Sequence, residues 1–319
     1  MDIRDNISDS SVASDRGVRA AQDEVTMLEG QLGSLATEAG LLAASNIPVA
    51  GTVVDAGQAI WNAWNGRWAD AALDLAGMIP GGGDAAKTTI KGGKIAKAVA
   101  RIGKRLDAAK AALTQARALA RSRAAATRYW NAVKRRRDAI IEKYKKMDCA
   151  TCAKKRDAEL RKVSRLPKTG GKWVDAKGNP VPAGSGYWKP DPGTSLDKAL
   201  AKHPNGHLGV PFRDGKPDFS GFPAPGIKGH DPTVQIHMSG DSNADISAAS
   251  KAFKERTGIS TTGRSAGRDT TGTWHHEPDG VTMRYVDKDV HTAYEMPDGT
   301  ANSGTPHAGG DSMTRDQSF

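Results

Sequence analysis

The sequence predicts an α+β protein: a helical N-terminal region followed by a C-terminal domain built around a strand–turn–strand–helix unit. Three observations lead there. Residues 94–146 are rich in Ala, Lys and Arg and contain no proline, a composition that favours a long helix. Residues 273–291, TWHHEPDGVTMRYVDKDVH, place two short strand-like runs around an Asp279-Gly280 turn and end in a helix-like segment. The two regions are separated by 167–194, PKTGGKWVDAKGNPVPAGSGYWKPDPGT, whose Gly and Pro content marks a linker or irregular segment.

Along the chain this gives five segments: a polar, partly disordered 1–40, a helical hairpin 41–93, a basic helical region 94–165, a Gly/Pro-rich linker 166–204 and a compact domain 205–319. With 319 residues there is room for two domains, and an aromatic content of only 5% argues against one large core. The net charge of +10 is unevenly spread. Residues 1–93 carry 6 basic and 12 acidic side chains, residues 94–165 carry 23 and 6, and residues 166–319 carry 17 and 18. The positive charge is thus a central block. Ile95, Val99, Ile102, Leu106, Leu113 and Leu119 give that block an apolar stripe. It reads as a solvated helix, as an arm that tracks phosphates, or as a binder of anionic membrane surface.

Residues 41–86 contain an approximate duplication. Asn46-Ile47-Pro48 recurs as Met78-Ile79-Pro80, each copy leading to an Asp-Ala pair, with Trp61, Trp64 and Trp68 near the tip between the two runs. The apolar run is shorter than the ~20 residues a spanning helix needs. Membrane contact by this segment is one reading and an ordinary helical packing module the other. The opening MDIRDNISDSSVASD is polar and acidic and lacks the apolar core of a signal peptide. Cys149 and Cys152 form a single CxxC. Without a second pair it is not a zinc ribbon, and it reads as two reduced thiols or a local disulfide.

The chemistry concentrates in the last third, where all eight histidines lie between His203 and His307. Gly280 suits a hairpin turn because it tolerates positive φ. Val281, Met283 and Tyr285 alternate with Thr282 and Arg284, the period of a half-buried strand. Asp287 can cap a helix from Lys288 onward, which would carry His291. Neighbours on a regular strand face opposite ways, so His275 and His276 share one site only if the strand ends or bulges there. Imidazole serves as a metal ligand or as a base near neutral pH, the two tasks that phosphodiester hydrolysis demands. His203, His207 and His230 read as solvated surface residues, and His237 as either a buried hydrogen-bonded residue or a member of the site.

These residues resemble the HNH/endonuclease VII superfamily, in particular the WHH-type nuclease domains of bacterial polymorphic toxins and the DNase colicins. Trp274-His275-His276, the DG turn, VTMRYV, DKDVH and His307-Ala308-Gly309-Gly310 carry the resemblance. So do GVPFRDGKPDFSGF (209–222) and NADISAASKAFKERTG upstream, so that it covers roughly residues 205–311. Residues 41–86 are similar to the pre-toxin region of such proteins. The resemblance implies a ββα-metal (HNH-like) fold and one divalent ion, Mg²⁺, Zn²⁺, Ni²⁺ or Mn²⁺. It makes His276 the general base, and His275 and His291 metal ligands, with Glu295 or His307 as a third. It implies a DNA substrate, with RNA or tRNA as the alternative, and a cognate immunity protein. It also implies release through a specialised secretion system, with a delivery component or chaperone, and action in the target-cell cytoplasm. Damage to membranes by residues 41–86 and non-catalytic nucleic-acid binding by the basic block are the competing functions.

Overall fold

The computed structural model describes residues 7–45, 85–147, 149, 151–204, 206–262 and 269–292. Of the helical hairpin expected over residues 41–93, residues 46–84 lie outside them, as do Glu295 and His307. The chain is α+β, and its contacts divide it into two units, residues 9–120 and residues 121 onward together with the first eight.

The described residues of the unit 9–120 are helical. They hold α1 (Asp9–Ala13), α2 (Arg16–Ser45) and the first part of α3 (Ala85–Lys145), a helix of 61 residues. Asp15 starts α2 by accepting hydrogen bonds from Gly17 N–H at 2.8 Å and Val18 N–H at 3.4 Å. Val18, Val25, Leu28 and Leu32 are buried. Their spacings of seven, three and four residues put them on one helical face. That stripe is why residues 9–25 are helical here rather than disordered, as their polarity implied. On α3, Ile95, Val99, Leu106, Ala109 and Leu113 are buried in turn. Arg105–Glu24 at 3.7 Å and Lys110–Glu29 at 3.2 Å link the two helices. Both pairs are about half exposed and contribute little, so apolar burial carries this unit. No helix among the described residues is long and apolar enough to cross a membrane.

Among the described residues the second unit contains two antiparallel sheets. The first, in order β1-β2-β3-β4, is formed by Gly171–Val174, Gly186–Pro190, Val210–Arg213 and Lys216–Pro217. The Gly/Pro-rich stretch expected to be a linker therefore supplies two strands, and α5 (Ser195–Leu200) follows them. The physical reason is aromatic. Trp173 and Trp188 pair directly across β1 and β2, both buried, with ring centroids 5.1 Å apart. The glycines serve the turns: Gly186 has φ 69°, and a Cβ there would strike the Val174 carbonyl.

The second sheet, in order β5-β7-β6, is formed by Thr233–Gln235, Thr282–Asp287 and Gly272–His276. Before the hairpin comes α6 (Ser242–Thr257), capped by Asp241 and closed by Gly258 in the left-handed conformation. After it comes α7 (Lys288–Thr292). The hairpin lies between two apolar cores. Met283, Tyr285 and Trp274 join Phe253 of α6 and Tyr129, Trp130 and Val133 of α3 in one. Val286 joins Val290, Phe219, Trp188 and Leu200 in the other.

Residues 121–165 of the basic region consequently share one unit with the compact domain, where the charge distribution implied separate segments. The last part of α3 is a core element of the unit that holds the hairpin, and α4 (Cys152–Val163) adds Leu160 to the second core. Arg137 of α3 is 2% exposed and donates to Ser164 Oγ at 3.1 Å and to the Ala183 carbonyl at 2.7 Å. Burial pulls its guanidinium down to about 10, opposed by the charges of Asp214, Asp138 and Asp157.

Two outcomes follow for folding. A fragment of residues 166–319 lacks Tyr129, Trp130, Val133 and Arg137 and should show no cooperative thermal transition by circular dichroism, whereas residues 121–319 should melt cooperatively. Arg137→Ala should cost about 3 kcal/mol in denaturant titration, because charge-assisted bonds to buried acceptors are lost. A cooperative melt of the shorter fragment would show that α3 is dispensable.

Candidate functional site

The site is assembled by the hairpin. Asp279 folds the turn with its own side chain, accepting from Val281 N–H at 3.0 Å, Thr282 N–H at 2.8 Å and the Thr282 hydroxyl at 2.6 Å. Gly280 has φ 76° and lies so close to α3 that a Cβ would come within 2.7 Å of Ala126 Cβ and the Ser122 carbonyl. Beyond the turn the ladder is regular: His276 pairs with Met283, His275 with Arg284 and Trp274 with Tyr285.

Because β6 stays regular through His276, its side chains alternate. Trp274 points to the α6 face, where its indole N–H reaches Ser250 Oγ at 2.9 Å and Thr261 Oγ1 at 3.1 Å. His275 points the other way, 1% exposed, with its ring centroid 4.8 Å from Phe219 and 5.4 Å from His291. His291 is the fourth residue of α7, buried, and also lies against Phe219 at 5.1 Å. His276 returns to the α6 face, where its Nε2 is 3.1 Å from Asp245 Oδ2. The hairpin thus brings His275 and His291 together and sets His276 on the opposite side of the same strand end, without a bulge.

Two imidazole nitrogens on one tetrahedral ion, each at about 2.0–2.1 Å, set their ring centroids roughly 5 Å apart. The His275–His291 pair matches that spacing, so its donor type and separation fit a transition-metal site. Among the described residues no group of three or more His, Cys, Asp or Glu side chains stands ready to hold an ion. The two candidates for a third ligand, Glu295 and His307, lie outside those residues.

Asp245 was not foreseen. It is 1% exposed, on the first turn of α6, and its Oδ1 accepts from Ser239 N–H at 2.7 Å and Ser239 Oγ at 2.8 Å. Burial alone would raise its carboxyl, but the hydrogen bonds from His276 and Ser239 outweigh it and hold the group below the ordinary carboxylate range. An ionised Asp245 accepts from the Nε2–H of His276. The lone pair of the neutral ring then lies on Nδ1.

Glu277 and Arg284 were missed as well. They bond to one another on the His275 side, since Arg284 is His275's cross-strand neighbour. Burial pushes the Glu277 carboxyl up, opposed by Arg284 and reinforced by Asp218 and Asp279. Counting two residues along the strand from His275 would have flagged it. Glu277 also lines a cleft of about 540 Å³ with Tyr187, Arg213, Lys216, Asp218 and Ser220.

The other histidines divide. His207 and His230 are exposed, as expected. His237 is exposed rather than buried, with its Nδ1 3.4 Å from Ser122 Oγ. His203 is not a solvated residue: its side chain is 10% exposed and its Nε2 is 3.1 Å from Asp287 Oδ2. Cys149 and Cys152 are joined in a disulfide, the second of their two expected states. No protein-family model, curated protein or solved structure matches the chain.

The Asp245–His276 pair has a pH signature. Because the folded-state carboxyl is depressed, its contribution is present above the unfolded carboxylate value and is lost as pH falls through the folded one. Asp245→Asn should therefore melt below wild type near pH 7, and the gap should close in acid, as pH falls through the depressed folded-state value, below the ordinary carboxylate range. A gap of constant size across that range would show that the charge of Asp245 is irrelevant.

Proposed function

We propose that the unit beginning near residue 121 is a metal-dependent endonuclease of the ββα-metal type, and that the chain is a toxic effector directed at the nucleic acid of a target cell. The observation that carries this reading is the meeting of His275 and His291. Sixteen residues apart in sequence, they come to a centroid distance of 5.4 Å in a buried position, through a strand, a tight turn, a second strand and one turn of helix. Histidine-rich resemblance in the sequence and the hairpin–helix arrangement support the same class.

In this reading His275 and His291 hold a divalent ion, with Glu295 or His307 completing the set. The ion supplies charge stabilisation for the phosphate and the leaving oxygen. Arg284 faces His275 across the ladder, and Glu277 neutralises it, which removes a repulsion that would oppose a cation there. By the resemblance His276 would take the proton, from the face of the strand end opposite His275 and His291. Asp245 fixes its ring and tautomer, leaving Nδ1 as the accepting atom. The exposed Arg128, Arg135 and Arg136 of α3 supply sequence-independent attraction for a phosphate backbone. DNA is the proposed substrate. Delivery by a specialised secretion system and inhibition by a cognate immunity protein belong to the same proposal.

The test is cleavage of plasmid DNA and of total RNA by the full chain, with and without a chelator. Metal-dependent cleavage of DNA is expected. Cleavage of RNA alone would transfer the reading to a ribonuclease, and cleavage of neither with any divalent ion would overturn it. His276→Ala should lower the rate by on the order of 10²-fold or more while metal binding persists. An unchanged rate would move the base to the His275 face, where Glu277 stands. His275→Ala and His291→Ala should lose metal binding and cleavage together.

A further inference from the structure

The helix that presents His291 is held at its first turn by groups outside it, and Lys288–Thr292 is the part of α7 described. Its N-terminus is fixed by Asp287, whose Oδ1 accepts from Asp289 N–H at 2.8 Å and Val290 N–H at 3.4 Å. The backbone N–H of Asp287 is bonded to the Phe222 carbonyl at 2.9 Å. One carboxylate oxygen is thereby committed to the cap. The other, on a side chain 6% exposed, meets His203 Nε2 at 3.1 Å.

His203 is itself well placed to hold that oxygen. Its backbone N–H closes onto the Leu200 carbonyl at 2.9 Å, just past the end of α5, and its ring packs edge-on against Phe222 with centroids 5.2 Å apart. Leu196, Ala199 and Leu200 of α5 share a core with Val290 of α7. A route of direct contacts therefore leads from α5 through His203 and Asp287 to the first turn of α7, and on to His291. The nearby Lys202–Asp289 pair at 3.1 Å is exposed on both sides and adds little.

We propose that His203 is a positioning residue for the metal centre: by holding the second oxygen of Asp287 it fixes the cap torsion, and with it the direction in which α7 points His291 toward His275. A burial-driven contact would need only the bulk of the ring. This role needs the hydrogen bond, because a buried carboxylate oxygen without a donor is costly and the side chain would turn to find one. The inference rests on the reading of His275 and His291 as ligands of one ion.

The experiment is calorimetric titration of the full-length chain with Zn²⁺, together with thermal melts of the metal-free protein, for wild type, His203→Gln and His203→Leu. Glutamine keeps a donor for Asp287 and leucine keeps only bulk. The leucine variant should bind Zn²⁺ about 10–100-fold more weakly, the usual effect of removing a group that orients a ligand, while the glutamine variant stays near wild type. If His203→Leu does not fold, Asp287→Ser replaces it, since serine caps the helix but does not span to His203. It should show the same loss. Equal Zn²⁺ affinity in all folded variants would overturn the positioning role. Absence of Zn²⁺ binding by wild type would overturn the metal centre itself, and the two failures are thus distinct.

Discussion

A single guanidinium ties the second unit together. Arg137 sits on α3, 2% exposed, and donates to Ser164 beyond α4 and to the Ala183 carbonyl in the turn between β1 and β2. Three segments distant in sequence thereby meet at one planar group. The space is kept open by glycine: a Cβ on Gly184 would come within 2.9 Å of both terminal guanidinium nitrogens, and one on Gly215 within 3.3 Å of Nη1. A buried arginine is expensive unless its donors are satisfied. Its presence therefore demands the turn at Gly184, the Ser164 hydroxyl and the seating of α3 against the four-stranded sheet. The hairpin inherits that placement, because its turn at Gly280 leans on Ser122 and Ala126 of the same helix.

With the hairpin fixed, strand alternation sorts the chemistry into two environments. On one face a depressed carboxylate, Asp245, orients one imidazole. On the other, Phe219 is packed against two imidazoles while a neutralised Arg284–Glu277 pair lies beside them. The opposite shifts of Asp245 and Glu277 come from the same burial. Asp245 collects enough donors to overcome it, and Glu277, with one guanidinium and two neighbouring acids, does not.

The parts of the fold legible in the sequence were those encoded by short-range rules. The turn at Asp279-Gly280, the alternation from Thr282 to Val286, the cap at Asp287 and the long α3 all depend on residues within a few positions of one another. What escaped was whatever is decided at long range. Residues 167–194 look like a linker by composition, yet Trp173 and Trp188 convert them into paired strands. Residues 9–25 look polar on average, but Val18 and Val25 begin a stripe that continues through Leu28 and Leu32. The meeting of His275 and His291 was readable from spacing and residue type. Asp245 and His203 were not, since their significance arises only from partners 31 and 84 residues away. Nor does the sequence say on which side of the sheet His276 falls, because that depends on whether the strand bulges.

The continuity of α3 has a consequence for proteolysis. Proteases act on exposed chain that can adopt an extended form, usually at loop tips. Here the boundary between the two units falls at Arg121, inside a helix that runs unbroken from Ala85 to Lys145. Any cut between Ala85 and that point meets backbone hydrogen-bonded in the helical form that proteases reject. The loop cuts that come easily, after Lys145, would leave behind the Arg137 that organises the remainder. A cut at the boundary between the units would therefore require local unwinding of α3 before the peptide bond is broken.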